Sequence, residues 1–479
     1  MENGRITVDY GKLAEFIETH FNDDTDRLLF RKAKWPDVNA EMAVSTILGH
    51  RKLRDKVPSW YGNAGLVFPS SLSVEQCSSE FTAESRVRTM RELLFRAVPG
   101  SKEALSRPNA ADTDGPQTAD LAELKIADLT GGLGVDSYVF SRHFGKVLYN
   151  EMNPVLADAA CHNFSVLDCS NITVSCSRIE CPEVLPSGFS PDIIYLDPAR
   201  RAADGKKVFR IEDCQPDIMQ LKDSLLQIAR LVAVKLSPMA DIDIVVRSLG
   251  PHCRRIDVVS SSNECKEVVA YLDREYDGEC TICAKCSGKG EFLFTRTEEN
   301  AADAILPGQG LNRIMSESGT FLLEPDRALL KAGAFRLPCR RFAIAMLDRS
   351  THFYITSSLC IPTISQAPCS AGSDCISGSP IAGNVSAAGN PELQDFFRIF
   401  RIIKVLPLDK NGIRTAGKDF PQADVTARNV PMGSDELRRR LKVQPSGRYH
   451  IFGLKVTAAQ AGECFPAASG NYLFITERL

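Results

Sequence analysis

Apolar and polar residues alternate with two different periods along this chain. In residues 9–98 apolar positions recur three and four apart, as in residues 13–17 and 90–95, and this spacing predicts amphipathic helices. Residues 106–118 are rich in Pro, Asn, Asp and Gly, which is typical of a linker or an exposed loop. We therefore expect a helical N-terminal domain over residues 1–115.

Between residues 121 and 272 short apolar runs alternate with stretches of helical spacing. That order is typical of a parallel sheet with helices on its faces, and it predicts a Rossmann-like domain over residues 116–275. The candidate strands are residues 124–127, 146–149, 172–175, 192–196, 231–235, 255–260 and 267–272.

Two further α/β units are expected after this domain, over residues 276–345 and 346–479. Residues 361–390 consist mostly of Ser, Gly, Ala and Pro with almost no charge. Such a segment buries too little apolar surface to fold, so we expect a flexible insertion there. The predicted fold class is therefore α/β, with a Rossmann-like domain between a helical N-terminal region and small α/β C-terminal domains.

Length and composition limit the classes of protein that fit. A chain of 479 residues is too long for one hydrophobic core, because such cores stop growing near about 250–300 residues. Hydrophobic residues at 44%, charged residues at 24% and a mean hydropathy of -0.13 are ordinary for a globular protein in water and exclude a collagenous or membrane-embedded chain. Because no run approaches about 18 apolar residues and the N-terminus lacks the apolar core of a signal peptide, we expect a cytoplasmic protein with no membrane partner.

Three of the 16 cysteines form a suggestive cluster. Cys280, Cys283 and Cys286 have the spacing C-x-x-C-x-x-C, which can present thiolates to zinc or to an iron–sulfur cluster. A closed site needs a fourth ligand, and the nearest candidates, Cys265 and Cys339, stand alone. We therefore expect reduced structural thiols and no metal in this chain.

A glycine-rich loop follows the first candidate strand of the Rossmann-like domain and precedes a helical run. Its sequence is Asp128-Leu129-Thr130-Gly131-Gly132-Leu133-Gly134-Val135-Asp136. Glycines allow a tight turn and let a ligand approach the backbone, and the N-terminus of the following helix offers free N–H groups. The alternative is a tight strand-to-helix turn with no ligand.

Two acids complete the pattern of a nucleoside site. Glu151 ends the next strand about twenty residues further on, where a carboxylate can accept both hydroxyls of a ribose. Asp197 follows the apolar strand 192–196, at the edge of the sheet where α/β folds keep their chemistry. A dinucleotide dehydrogenase would carry G-x-G-x-x-G, whereas this loop reads D-x-T-G-G-x-G-x-D, which favours S-adenosylmethionine over NAD. The residues expected to contact the cofactor are Asp128, Thr130, Gly131, Gly132, Gly134, Asp136, Glu151 and Asp197.

These segments resemble the class I S-adenosylmethionine-dependent methyltransferases, with residues 128–136 in the place of motif I, Glu151 in that of motif II and Asp197-Pro198 in that of motif IV. Further segments resemble one bacterial family, seen mainly in Bacteroidetes-type proteins, that adds a small ferredoxin-like domain and a C-terminal THUMP-like domain. They are residues 76–80, 235–238, 263–267, 324–325, 331–335 and 425–441. The resemblance implies methyl transfer from S-adenosylmethionine, with RNA as the substrate class.

The segment at Asp197 departs from the motif of base-nitrogen methyltransferases. Those enzymes use an (Asn/Asp)-Pro-Pro-aromatic motif whose aromatic ring stacks on a flipped base. Here Asp197 and Pro198 are followed by Ala199 and Arg200, which weakens the case for methylation of a base nitrogen. Arg200 and Arg201 either clamp a phosphate or are simply solvated or paired with nearby acids.

Methylation of a ribose 2′-oxygen is the other open reading. Asp197, Lys235 and Glu267 stand at the ends or starts of successive strands and resemble three members of the Lys-Asp-Lys-Glu set of such enzymes. A lysine that ends a buried strand needs a partner, and a structural salt bridge is the simpler interpretation. Methylation at pyrimidine C5 is disfavoured, because it needs a cysteine nucleophile and residues 235–238 offer a serine. The catalytic candidates are Asp197, Pro198, Lys235 and Glu267.

Basic charge concentrates at the C-terminal end. The whole chain has 57 Lys and Arg against 60 acids, but residues 391–479 have 14 against 9, a net charge of +5. The segments 396–401 (FFRIFR) and 438–442 (RRRLK) combine positive charge with aromatic rings, as an RNA-binding surface would. The alternative is a solvated helix face and core phenylalanines. The RNA-binding candidates are Arg200, Arg201, Arg438, Arg439 and Arg440.

The sequence thus predicts a cytoplasmic S-adenosylmethionine-dependent methyltransferase that binds RNA and methylates a base nitrogen or a ribose 2′-oxygen. One alternative is a catalytically silent RNA-binding or assembly protein that keeps the cofactor fold. Another is a methyltransferase of small molecules or proteins. Neither the target nucleotide nor the oligomeric state follows from the sequence.

Overall fold

The computed structural model describes residues 8–95, 121–179, 185, 188–200, 214–287, 289–304, 320–357, 393–445, 447–457 and 469–479. The chain forms two compact units, Met1–Ile256 with Val268–Glu279, and Asp257–Glu267 with Cys280–Leu479. The predicted linker at 106–118, the predicted insertion at 361–390 and Arg201 lie outside the described residues, as does the side chain of Arg200.

The first unit begins with helices and continues as an alternation of strands and helices. Its helices are α1 (Tyr10–His20), α2 (Thr25–Phe30), α3 (Ala40–Leu53), α4 (Ser71–Gln76), α5 (Glu80–Phe95), α6 (Val135–Ser141), α7 (Pro154–Val166), α8 (Ile218–Ile228) and α9 (Ile242–Leu249). Its strands are β1 (Lys125–Asp128), β2 (Lys146–Asn150), β3 (Ile172–Ser175), β4 (Ile193–Leu196), β5 (Ala199–Arg200), β6 (Cys214–Gln215) and β7 (Leu231–Leu236). Two more strands, β8 (Cys253–Ser261) and β9 (Glu264–Asp273), contribute residues to both units.

The large sheet has the parallel core that the alternating pattern predicts. Strands β3, β2, β1, β4 and β7 lie side by side and parallel, and β9 continues the sheet antiparallel to β7. Each of the seven candidate strands of the Rossmann-like domain corresponds to one of these strands or to β8. The predicted α/β fold class with a Rossmann-like domain is confirmed.

Helix α5 belongs to the core of this sheet. Its residues Val87, Met90 and Leu93 pack in one buried cluster with Phe140 of α6 and Tyr195 of β4. Burying each such apolar side chain stabilises the fold by about 1.5–3 kcal/mol. The helical N-terminal region is therefore anchored on the sheet through α5.

The second unit is built around a second sheet. The strands of this unit are β10 (Thr281–Cys286), β11 (Gly290–Thr295), β12 (Phe321–Pro325), β13 (Ala345–Met346), β14 (Tyr354–Thr356), β15 (Phe397–Pro407), β16 (Asp424–Arg428), β17 (Tyr449–Thr457) and β18 (Ser469–Arg478). Its helices are α10 (Arg296–Ala301), α11 (Arg327–Ala332), α12 (Leu337–Phe342), α13 (Lys410–Asp419) and α14 (Ser434–Leu441). Seven strands pair in the order β13, β14, β12, β15, β18, β17 and β16, while β10 and β11 form an antiparallel pair. No described helix is long and apolar enough to cross a membrane.

The three clustered cysteines lie at and within β10. Cys280, Cys283 and Cys286 are all buried, and burial raises the pKa of the Cys286 thiol well above its usual value. Across the described parts of the chain, no three His, Cys, Asp or Glu side chains converge as metal ligands would.

Candidate active site

The carboxyl ends of four parallel strands bring the predicted site residues to one edge of the sheet. The glycine loop leaves β1 there, Glu151 follows β2 and Asp197 follows β4. Lys235 lies near the end of β7, the neighbour of β4. Because parallel strands end at the same edge, residues that are up to about a hundred positions apart in sequence become neighbours.

Gly131 and Gly134 give the loop a shape that a side chain at either position would prevent. A Cβ on Gly131 would stand 2.1 Å from the Cε2 atom of the buried Tyr149 ring, and Gly134 has a φ of +92°. The Tyr149 hydroxyl donates to the carbonyl oxygen of Gly132 at 2.6 Å. Gly132 has a φ of +54°, and a Cβ there would meet no atom closer than 4.0 Å, so the backbone borders open space that a ligand can fill.

Asp128 holds the glycine loop in place through hydrogen bonds to the loop and to the helix that follows it. Its carboxyl group is fully buried and accepts hydrogen bonds from the Thr130 backbone N–H at 3.2 Å and the Ser137 hydroxyl at 2.7 Å. Burial, reinforced by the nearby charge of Asp136, raises the pKa of Asp128 to about 8. The Thr130 hydroxyl in turn accepts the backbone N–H of Asp197 at 2.5 Å, which ties the loops after β1 and β4 together.

Glu151 presents its carboxylate beside the loop. One oxygen accepts the Gly132 backbone N–H at 3.0 Å, and the other accepts the Asn153 N–H at 2.8 Å. Each carboxylate oxygen can accept two hydrogen bonds, so each keeps one acceptor position. The side chain is thereby fixed in place while it can still accept two hydroxyl groups.

Asp197 and Lys235 form an ion pair at the edge of the sheet. The Lys235 ammonium donates to Asp197 Oδ2 at 2.6 Å and to the Ser78 hydroxyl oxygen at 3.2 Å. The side chain of Lys235 is 13% exposed and that of Asp197 35% exposed, so a substrate can reach the carboxylate. Pro198, which follows, is buried.

Asp136 does not face this open edge. The sequence predicts a cofactor contact for it, whereas the structure turns its carboxylate inward, to Arg86 of α5, Ser78 and Tyr195. Burial opposes ionisation of this group, but the Arg86 and Lys235 charges outweigh burial and hold the pKa of Asp136 below its usual value. Asp136 therefore links the N-terminal helices to the site.

Two residues of this network, Ser78 and Arg86, were missed as functional candidates from the sequence. Arg86 is 1% exposed although it is charged, and it lies between the core residues Ala83 and Met90 of α5. A charged residue within the apolar stripe of a helix needs a buried partner, and that was the available signal. Ser78 lies in a segment that the family resemblance had already highlighted.

The structure also brings a cysteine close to the site, next to Ser78. The Cys77 thiol donates to the Val74 carbonyl oxygen at 3.2 Å, and it is close enough to Asp136 and Lys235 to interact with their charges. Burial raises the pKa of the Cys77 thiol, so the reactive thiolate form is disfavoured. This thiol is therefore a poor nucleophile for methylation at pyrimidine C5.

Two other predicted site residues, Glu267 and Arg200, stay predictions. Glu267 is buried in β9 and belongs to the second unit, whereas Asp197 and Lys235 belong to the first unit. Arg200 contributes its backbone to β5, where it pairs with Cys214, while its side chain lies outside the described part of the chain.

The predicted aromatic and basic surface of the C-terminal region needs a correction. Phe396, Phe397 and Phe400 are buried, so they cannot stack on bases. Phe400 packs against Phe452 in the core of the second sheet, and the rings of Phe396 and Phe397 pack against Phe342 of α12. Arg398 is paired with Glu324 and Arg401 with Glu477.

The three consecutive arginines lie on helix α14. Arg438 pairs with Asp435 at 3.1 Å and Arg440 with Glu436 at 2.5 Å. Arg439 is exposed and has no ion-pair partner among the described residues. Two of these three charges are therefore partly neutralised by acids of the same helix.

Comparison with known proteins places these domains in a family context. Residues 397–464 match the THUMP domain-like family, and residues 321–362 match a ferredoxin-like domain family. A crystal structure of a candidate methyltransferase from Porphyromonas gingivalis W83 shares the fold over 98% of both chains, with 25% identity and a TM-score of 0.71. The chain is a methyltransferase-fold protein with ferredoxin-like and THUMP-like domains. The predicted family resemblance is confirmed, while the predicted domain boundaries stay predictions.

More distant likenesses cover about a third of the chain. An rRNA methylase from Streptococcus thermophilus matches 32% of this chain and 91% of its own, with 12% identity and a TM-score of 0.24. A precorrin-6Y C5,15-methyltransferase from Geobacter metallireducens GS-15 matches 33% of this chain and 81% of its own, with 14% identity and a TM-score of 0.23. A comparison with curated protein sequences gives no match.

Proposed function

We propose that this protein is an S-adenosylmethionine-dependent methyltransferase that acts on RNA. The observation that carries the proposal is the Asp197–Lys235 pair, which lies at the same sheet edge as the glycine loop and Glu151. The methyltransferase fold over the whole chain supports the reaction class, and the THUMP-like domain supports RNA as the substrate. We also propose a cytoplasmic location.

The residues at the loop fit the cofactor. The free acceptor positions of Glu151 suit the two hydroxyls of a ribose, and the open space beside Gly132 lets the nucleoside approach the backbone. Asp128 and Thr130 hold this backbone in place rather than offering their side chains to the ligand. When bound, S-adenosylmethionine supplies an electrophilic methyl group.

The ion pair favours an oxygen acceptor over a nitrogen acceptor. A hydroxyl oxygen gains negative charge as its proton leaves, and the Lys235 ammonium stabilises that charge while Asp197 accepts the proton. An exocyclic base nitrogen gains positive charge as it attacks, which a nearby ammonium opposes. We therefore favour a ribose 2′-oxygen, with a base nitrogen as the second candidate.

Calorimetric titration with S-adenosylmethionine and its demethylated product tests the cofactor assignment, with NADH as a specificity control. We expect the wild type to bind the first two and not NADH. Replacing Glu151 by Gln should weaken binding by about 10- to 100-fold, since hydrogen bonds to a charged group contribute about 1.5–3 kcal/mol. The matched control is Glu18→Gln on the exposed face of α1, which should bind like the wild type.

Unchanged affinity in the Glu151 variant would overturn the ribose assignment. If the wild type binds none of these ligands, either alone or with RNA present, the cofactor assignment fails and the silent RNA-binding alternative is favoured.

A further inference from the structure

Three arginines of the second unit share one buried carboxylate. Glu324 of β12 is 2% exposed, and Arg398 of β15 lies directly opposite it in the antiparallel register and donates to its Oε2 atom. Arg428, at the end of β16, donates to Oε1 at 3.4 Å. An Nη2 atom of Arg327 in α11 lies 3.8 Å from the same oxygen. We call Arg327, Arg398 and Arg428 the arginine cluster.

Positive charge is in excess in the arginine cluster. Among the described residues, Glu324 is the only carboxylate within ion-pair distance of the three guanidinium groups. A carboxylate accepts about four hydrogen bonds, whereas each guanidinium carries five N–H donors, so most donors remain available. The Nε of Arg398 is buried and has no partner in the described part of the chain. Burial and the other two arginines lower the pKa of Arg428, although Glu324 opposes this effect.

The arginine cluster is both fixed in position and accessible. The guanidinium of Arg428 lies 5.1 Å above the ring of Phe353, which is buried beside Phe452 in the core of the second sheet. The side chains of Arg327, Arg398 and Arg428 are 33%, 36% and 24% exposed. Guanidinium groups held in this way lose little freedom on binding and match the oxygen geometry of a phosphate.

We propose that the arginine cluster is a phosphate-binding site and that its occupant is the phosphodiester backbone of RNA. The choice of RNA rests on the proposed function of this protein. Arg398 and Arg428 both lie in the segment that matches the THUMP domain-like family. The arginine cluster also has less neutralising charge than helix α14, where two of three arginines each have their own acid.

The test measures binding of a short, labelled, single-stranded RNA of mixed sequence to the full chain by fluorescence anisotropy over a series of KCl concentrations. The variants R398Q and R428Q should each bind about tenfold more weakly, and the slope of log affinity against log salt should fall by about 0.7, the value for one phosphate contact with a single strand. The matched control is R414Q, which removes the same charge from the exposed face of α13. It should bind like the wild type.

A gain-of-affinity variant covers the case in which an arginine variant fails to fold. E324Q removes the competing carboxylate, so RNA should bind more tightly to it than to the wild type. Thermal unfolding by circular dichroism identifies the variants that are folded, and each variant is also titrated with S-adenosylmethionine, whose affinity should not change.

Three results would overturn the proposal. Wild-type RNA affinity in R398Q and R428Q, with a loss in the triple variant R438Q/R439Q/R440Q, would move the site to α14. If inorganic phosphate binds the wild type but not R428Q, while RNA binds both equally, the occupant is a free phosphate. If the wild type binds S-adenosylmethionine but no RNA at any salt concentration, RNA as the substrate fails together with this site, whereas the first two results leave the proposed function intact.

Discussion

The buried ion pair between Arg86 and Asp136 allows the stability of the first unit to be predicted quantitatively. Replacing Arg86 by Met keeps much of the side-chain volume and removes the charge. Arg86 is 1% exposed and Asp136 is 8% exposed, so water cannot easily take over the role of the lost guanidinium. The variant therefore leaves a buried carboxylate without its nearest cation.

The size of the effect follows from the contacts that remain. Breaking a buried ion pair by removing one partner costs about 3–5 kcal/mol. Asp136 keeps the hydroxyl hydrogen bonds of Ser78, at 2.7 Å, and Tyr195, at 3.2 Å, and each contributes about 1 kcal/mol. We therefore expect the lower end of the range, a loss of about 3 kcal/mol in the free energy of unfolding of the first unit.

Tryptophan fluorescence reports on this unit selectively, because Trp35 and Trp60, the two tryptophans of the chain, both belong to it. Urea unfolding of R86M, followed by tryptophan emission at pH 7, should show the loss. R54M, which removes an exposed arginine paired with Asp55, is the control and should unfold like the wild type. The double variant R86M/D136N should recover part of the stability, since neither charge is then left alone. A loss below about 1 kcal/mol in R86M would refute the buried-pair reasoning.

Three further predictions concern the loop and two buried titratable groups. Gly131→Ala should abolish binding of S-adenosylmethionine, because the new methyl group would collide with the Tyr149 ring. The calorimetric control is Gly433→Ala, whose new methyl group would have no atom within 4 Å. Because the pKa of Asp128 is raised to about 8, the folded state holds a proton between pH 4 and 8 that the unfolded state has lost. The free energy of unfolding should therefore fall by up to about 1.4 kcal/mol for each unit that the pH rises in this range. Asp128→Asn should remove this slope in urea unfolding. His50 is buried without a described hydrogen-bond partner and burial lowers its pKa to about 4, so stability should fall as the pH drops from about 6.5 towards 4. His50→Leu should not show this acid-dependent loss, and an identical pH profile in the variant would contradict the assignment.

Local patterns in the sequence were sufficient for seven strands of the large sheet and for the glycine loop. A buried parallel strand is a short apolar run, and the residues that follow it lie at a known edge of the sheet, so Glu151 and Asp197 could be placed without a structure. The sequence also indicated that Lys235 needs a partner, but it did not name Asp197, because the adjacency of β7 and β4 is known only from the structure.

Contacts between distant segments could not be predicted in the same way. Arg86 reaches Asp136 only because α5 packs on the sheet, and no local pattern fixes that packing. The segment around Arg398 has the same sequence whether its phenylalanines form an aromatic surface or part of a core, so the sequence does not distinguish the two. The pairing of β15 within the second sheet and the burial of the rings do. The arginine cluster depends on residues from β12, α11, β15 and β16, which are separated in sequence by up to about a hundred positions.

Transfer of a labelled methyl group from S-adenosylmethionine to RNA, prepared from cells that lack the gene for this protein, tests the central claim most directly. We predict that the wild type labels RNA and that Asp197→Asn binds the cofactor but does not transfer the methyl group. For a ribose 2′-oxygen, the label should appear in alkali-resistant dinucleotides, because the methylated hydroxyl cannot take part in strand cleavage. Transfer by Asp197→Asn at the wild-type rate, or cofactor binding by the wild type with no labelling of RNA, would contradict the account.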